Sequence, residues 1–311
     1  MRNKKMKYED FLSLMKSALE AEIEKRGCNL EVSIDQKMSN GAMRGGLRIT
    51  SQENNFTTFW RVEEGFDKDP IYAIRLGMNM GMLVEDILNA FEEGLQSVDE
   101  VERLLKDYAH VKDAILPILY PQEFLENLEE ECMHYSFFDL EICYFIVGEK
   151  LGIPIGNMLI TKEMIGAWGI TEEELKKKAL ENQKSCTVLQ SMDEVMEMME
   201  KNGVSYEVNR SEDTKEMYML KYDLKFMGAA AMLNRDMLNE HANRIKTKRL
   251  VLIPSSVHEC LVMDGKDIDI EKLRCVIAIE NISMLKEEDI LSFSPYYYDV
   301  EEGYGIYSEN E

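Results

Sequence analysis

From Leu250 to Asp264 the chain reads LVLIPSSVHECLVMD, which sets Ser255, Ser256, His258, Glu259 and Cys260 between two apolar runs. A hydroxyl or thiol beside an imidazole and a carboxylate is the material of nucleophilic hydrolysis, in which a base takes the nucleophile's proton and an acid orients the base. The backbone decides whether these side chains meet. Leu250 to Ile253 and Cys260 to Met263 read as buried strands joined through Pro254-Ser255-Ser256, with Asp264-Gly265 as the next turn. On a strand, His258, Cys260 and Val262 share one face while Glu259, Leu261 and Met263 share the other, so His258 and Glu259 point apart. Alternatively, Ser256 and Glu259 form a capping box for a short helix. Either backbone gives these residues a structural job. A hydrolase-like site using Ser256 or Cys260 with His258 needs a partner acid or base from elsewhere in the chain.

Other chemistries are less well supplied. Cys132-Met133-His134 and His258-Glu259-Cys260 are mirror-image groups that together offer two thiolates and two imidazoles, a set zinc accepts. Their spacing departs from zinc signatures, which place cysteine ligands about two to four residues apart, and no metal site is expected. With four histidines in all, His110, His134, His241 and His258, a His-rich centre is excluded. Neither GxxxxGK[ST] nor a strand-to-helix GxGxxG occurs, so nucleotide hydrolysis by a P-loop is not expected, and the sequence names no cofactor. The clusters Lys176-Lys177-Lys178 and Arg244 to Arg249 fall toward predicted helix ends, where cations meet exposed carbonyls. In SPYYYD, Tyr296 and Tyr298 share one strand face and Tyr297 takes the other, a pattern for cross-strand packing or for a recognition surface.

Composition narrows the function classes. The 311 residues are 45% apolar, enough for one large or two ordinary cores. The six cysteines form no CxxC pair and fit reduced thiols in a cytosol. The basic start MRNKKMK runs into a charged amphipathic segment without the apolar core of a signal peptide, which argues against export. The longest apolar stretch, near Ile142 to Gly148, is far too short to span a bilayer. A formal charge of −23 repels phosphate backbones and anionic lipid, which disfavours direct nucleic-acid binding. The charge is also blocked: Asp113 to Glu149 holds nine acids and no Lys or Arg, and Glu85 to Glu102 holds seven. Such blocks form a solvated face, dock a basic protein partner or imitate nucleic acid.

Periodicity supplies the elements. Apolar residues at 8, 11, 12, 15, 18, 19 and 23 mark one face of a helix ended by Gly27. Leu30, Val32 and Ile34, the turn Asn40-Gly41, and Leu47 and Ile49 then read as a hairpin, with a third strand over Phe56 to Val62. Helices follow through Leu83 to Lys106. Ser97 to Glu100, Thr171 to Glu174 and Ser191 to Glu194 match the capping box and predict helix starts. Strands are expected at Ile115 to Leu119, Leu140 to Val147, Met158 to Ile160, Met217 to Leu220 and Ala229 to Leu233. MLITKEMI at 158 and MLNRDML at 232 each predict a short strand, a cap at Thr161 or Asn234, and a helix. The resulting class is α+β: an N-terminal helix plus antiparallel meander closed by helices over residues 1–110, then a larger mixed α/β module over 111–299. The boundary falls near Asp107 to Asp113, and residues 300–311 read as a frayed acidic tail.

The segments FFDLEICYFIV, LITKEMIGAWGITEEELKKKALEN, GAAAMLNRDML, LVLIPSSVHECLVM and DILSFSPYYYD, in that order and spacing, resemble an uncharacterised bacterial family. It is a domain of unknown function met mainly in Gram-positive anaerobes. The likeness covers Lys112 to Asp299, and the N-terminal helix and meander are compatible with it. It implies a bacterial cytosolic protein and carries over no functional residue. Charge blocks without a catalytic constellation lead to an expected function: a non-enzymatic binding or regulatory protein that engages a macromolecular partner through an acidic surface. A hydrolase and a nucleic-acid mimic are the alternatives.

Overall fold

The computed structural model describes residues 7–39, 42–52, 57–60, 80–126, 132–151, 157–201, 216–224 and 227–307. The chain divides into two compact units, Met1–Leu105 and Lys106–Glu311.

In the first unit, α1 (Tyr8–Arg26) buries Phe11, Leu12, Met15, Leu19 and Ile23, one stripe of the helix. It stops at Gly27, whose φ of 68° is left-handed, with the Gly27 and Cys28 amides donating to the Glu24 and Ile23 carbonyls. The meander follows, with β1 (Leu30–Ser39) antiparallel to β2 (Ala42–Ser51), which pairs in turn with β3 (Thr57–Trp60). The turn residues Asn40-Gly41 lie outside the described residues. Val32, Leu47 and Ile49 meet Val84, Ile87, Leu88 and Phe91 of α2 (Met80–Lys106) and the α1 stripe in one core. The helix start expected at Ser97 is absent, because α2 runs through it without a break. Within a continuing helix the Ser97 amide already has its backbone partner, so a cap has nothing to satisfy.

The second unit holds two antiparallel sheets. In the smaller one, β6 (Leu140–Ile146) pairs on one side with β4 (Ile115–Pro121) and on the other with β5 (His134–Phe137) and β7 (Met158–Leu159). Thr161 caps α3 (Lys162–Trp168), and the Thr171/Glu174 box opens α4 (Glu172–Lys184). The larger sheet has the order β13-β12-β10-β11-β9-β8. Its strands are β8 (Thr187–Ser191), β9 (Met217–Tyr222), β10 (Arg249–Ile253), β11 (Cys260–Asp264), β12 (Tyr296–Asp299) and β13 (Gly303–Ile306). The reciprocal Ser191–Glu194 bonds of 3.2 and 2.8 Å open α5 (Met192–Lys201). Asn234 caps α6 (Arg235–Ile245), and α7 (Ile270–Met284) follows β11.

Two expectations are corrected here. Ala229–Leu233 is a 3-10 turn and not a strand: its apolarity records burial of Ala229 to Met232, and the run lacks the β-branched residues that favour a pleat. The expected tail carries a strand, since Asp299 accepts from the Glu301 amide at 2.9 Å to close a turn and β13 pairs back onto β12. The Tyr297 ring lies close over Gly305, where a Cβ would stand 2.1 Å from Tyr297 Cζ.

Polar groups at the inner ends of both sheets join them. Tyr222 Oη donates to the Pro117 carbonyl at 3.0 Å. Buried Gln183 then fits with its nitrogen toward Tyr222 Oη (3.0 Å) and the Ala230 carbonyl (3.3 Å), and its oxygen toward the Asn234 amide (3.2 Å). Asn182 donates to the Lys112 and Ile115 carbonyls at 2.6 and 2.9 Å. At the β5–β6 turn, Asp139 accepts from Ser292 at 2.8 Å and from Tyr296 Oη, fastening the hairpin tip to β12.

Candidate functional site

The Pro254–Glu259 connection is held on both sides by backbone. The Leu291 amide donates to the Ser255 carbonyl and Val257 to Asp289, both at 2.9 Å, while Gly228 donates to His258 at 3.0 Å and Ala229 to Val257 at 3.2 Å. This lashing explains why polar residues sit in a buried corner: their main-chain groups are satisfied by two neighbouring segments. The structure brings His258 Nε2 within 3.2 Å of Asp289 Oδ1, an acid 31 residues away that no local pattern announced. The nucleophile side of a relay is not assembled. Ser256 is fully buried and its Oγ accepts from the His258 backbone amide at 3.0 Å, not from the ring. Cys260 is buried in β11 beside the Leu261 carbonyl, and burial pushes its thiol far above the usual range. Glu259 immediately precedes β11, and Ser255 contributes its carbonyl. Among the described residues, no hydrogen bond joins the Ser255, Ser256 or Cys260 side chain to the His258 ring.

The two mirror-image groups do not converge either. Among the described residues, no group of three or more His, Cys, Asp and Glu is placed to hold a metal. His134 pairs instead with Glu141, Nδ1 to Oε2 at 2.9 Å, and Ser136 donates to Glu141 Oε1 at 2.8 Å. The sheet explains the meeting, because Ser136 stands opposite Glu141 and His134 opposite Cys143. Cys132 precedes this row, bridged to Thr161, with its thiol hydrogen-bonded to that of Cys143. The alternation of His134, Ser136, Glu141 and Cys143 about the Phe138-Asp139 turn was the signal available in the sequence.

Of the described acids in the run Asp113 to Glu149, Asp113, Glu123, Asp139 and Glu149 are exposed. Asp113 is ion-paired with Lys178, Asp139 holds the hairpin tip, Glu141 is buried, and residues 127–131 lie outside the described ones. The tyrosine run packs across strands: Tyr296 and Tyr298 are buried, and Tyr297 lies under Arg249 at 4.4 Å and against Tyr307 at 5.1 Å.

The least ordinary surface belongs to α7. Its inner side sets Leu273 and Ile277 against Val251, Ile253, Leu261 and Met263 of the larger sheet. A helix lying on a sheet normally turns a polar face outward. Here Cys275, Ile279 and Ile282, spaced as one outward stripe, are exposed, with Ile279 at 63% and Ile282 at 76%. Val276 and Met284 extend the exposed apolar surface, and Glu271, Lys272, Glu280 and Glu287 are exposed around it, with Glu271 paired to Arg274. Contiguous exposed apolar residues on this scale mark contact surfaces. The stripe shows only once the sheet beneath α7 is known.

These features define an antiparallel α+β protein of two units with an apolar helix face turned outward and, among the described residues, no nucleophile assembled at its His–Asp pair. The chain belongs to a family of unknown function, DUF5688, whose model matches residues 8–300. No curated protein and no solved structure matches the chain. No described helix is long and apolar enough to cross a membrane.

Proposed function

We propose that this protein acts by binding, with the outward stripe of α7 as its contact and a partner protein element that is apolar at its centre and basic at its rim. The observation that carries the reading is the exposure of Ile279 and Ile282 on a helix whose other side already has a sheet to cover. The formal charge of −23 selects the rim, since it attracts basic surfaces and repels acidic ones. A bacterial cytosolic setting belongs to the same reading, supported by six free thiols.

The test uses labelled helical peptides of leucine with lysine, glutamine or glutamate. The leucine–lysine peptide should bind best, weaken with salt, and lose about thirtyfold in affinity when Ile279→Ser and Ile282→Ser are combined, roughly 2 kcal/mol of apolar contact. Binding that ignores those two substitutions, or no binding at all, overturns the proposal.

The His258–Asp289 pair is what the Pro254–Glu259 connection offers to a hydrolase reading. Half-exposed ion pairs contribute little to stability, so His258→Ala should change the unfolding free energy by less than about 0.5 kcal/mol. Loss of cellular function in that still-folded variant would revive the catalytic alternative. Retained function leaves the pair as a fastening for the loop.

A further inference from the structure

Cys132 and Cys143 have no part in the binding surface, yet they lie together in a cluster of reactive side chains. β6 places Cys143 opposite His134, and the chain entering β5 places Cys132 two residues before that histidine. The thiols are hydrogen-bonded to each other. Beside them the His134 imidazole is held on the buried Glu141 carboxylate, whose second oxygen accepts from Ser136. Both thiols are buried, and the cluster reaches the surface through the His134 side chain, which is 38% exposed.

From this juxtaposition we infer that Cys132 and Cys143 are a redox-active dithiol, which a hydroperoxide converts to a disulfide. Cys132 is the attacking sulfur. The hydrogen bond from Cys143 draws its thiol below the ordinary range against the effect of burial, with further help from the charges of His134 and Lys162. The same bond, with burial, pushes Cys143 upward, so Cys143 keeps its proton until the second step. In the first step the Cys132 thiolate attacks one peroxide oxygen. An S–O bond forms, the O–O bond breaks, and the departing oxygen takes a proton to leave as water or as an alcohol. In the second step the Cys143 sulfur attacks the sulfenic sulfur. An S–S bond forms, the S–O bond breaks, and the Cys143 proton leaves with the oxygen as water. Two thiols are oxidised by two electrons in total and one peroxide is reduced. A thiol reductant reverses the change.

The exposed Cys275 and half-buried Cys28 are internal controls for simple accessibility. The full-length reduced protein is treated with hydrogen peroxide, quenched, alkylated and examined by intact and peptide mass spectrometry. The expected product has lost two hydrogens, carries a Cys132–Cys143 link, and forms about tenfold faster than Cys275 oxidises, as a thiolate outpaces an ordinary thiol. In Cys143→Ser, Cys132 should stop at the sulfenic acid and be trapped by dimedone, and in Cys132→Ser, Cys143 should stay reduced. If Cys132 and Cys143 in the wild-type chain are both still alkylated after unfolding, when Cys275 is already oxidised, the inference is wrong. That result does not depend on how either variant folds.

Discussion

Gly228→Ala should destabilise the larger unit by about 3 kcal/mol or more, the upper range for overpacking a site that cannot relax. A Cβ at this position would stand 2.6 Å from the His258 carbonyl oxygen and 2.7 Å from the Tyr222 amide nitrogen. Both are backbone atoms, so neither can rotate aside. The His258 carbonyl is also the acceptor for the Gly228 amide, and displacing it loosens the connection that seats the His258–Asp289 pair. Thermal unfolding should fall by roughly 10 °C for a unit of this size. A melting temperature within a degree or two of wild type would mean that the β9 end and the Pro254–Glu259 connection move apart more easily than their hydrogen bonds suggest.

The second large effect concerns acid. His241 is buried on α6, its ring edge-on to Tyr218 at 4.3 Å, with Arg244 Nη2 donating to Nδ1 at 2.8 Å and Nε2 without a partner. Burial, then the Arg244 charge, hold its pKa down to about 4, with Glu216 acting weakly in the other direction. The unfolded chain binds a proton at this residue near the ordinary histidine value and the folded chain does so only near 4. Between those values the unfolded state carries more protons, so stability is full above about pH 6.5 and falls as pH drops toward 4. The full loss amounts to about 3 kcal/mol. His241→Gln keeps an acceptor for Arg244 and removes the titration. Urea midpoints at pH 7 and 4.5 should show a clearly smaller acid loss in the variant. Equal losses in both proteins would assign the acid sensitivity to carboxylates instead, of which Asp35, Asp113 and Asp299 are held low by hydrogen bonds.

What the sequence disclosed and what it hid follow from the range of the interactions involved. Alternation at Leu30 to Ile34 and Leu47 to Ile49 is a local pattern, and the hairpin stands where it predicts. The Thr171 and Ser191 boxes are likewise decided within four residues. Ser97 carries the same letters and fails, because a cap acts only where a helix would otherwise begin with free amides. Ala229 to Met232 is apolar for reasons of burial, which periodicity over so few residues cannot separate from a strand. The strand at Gly303–Ile306 hides in an acidic segment because its pairing of Gly305 with Tyr297 is visible only across the β12–β13 ladder. The alternation of strands and helices suggested α/β texture, yet the strands pair antiparallel throughout the described sheets.

The candidate site shows the same division. The strand expected through His258 begins only at Cys260, and His258 lies in the bend before it. Asp289, Cys143 and the outward side of α7 were not legible, because each depends on which strand or sheet lies alongside. Sequence separation of 31 residues between His258 and Asp289 leaves no local trace.

The most direct measurement of the binding proposal is hydrogen exchange on the full-length protein with and without the leucine–lysine peptide. The amides of α7 around Ile279 and Ile282 should gain protection, and the gain should vanish in the Ile279→Ser, Ile282→Ser protein. Protection confined to other elements, with α7 exchanging as it does alone, would contradict the assignment of this helix as the contact.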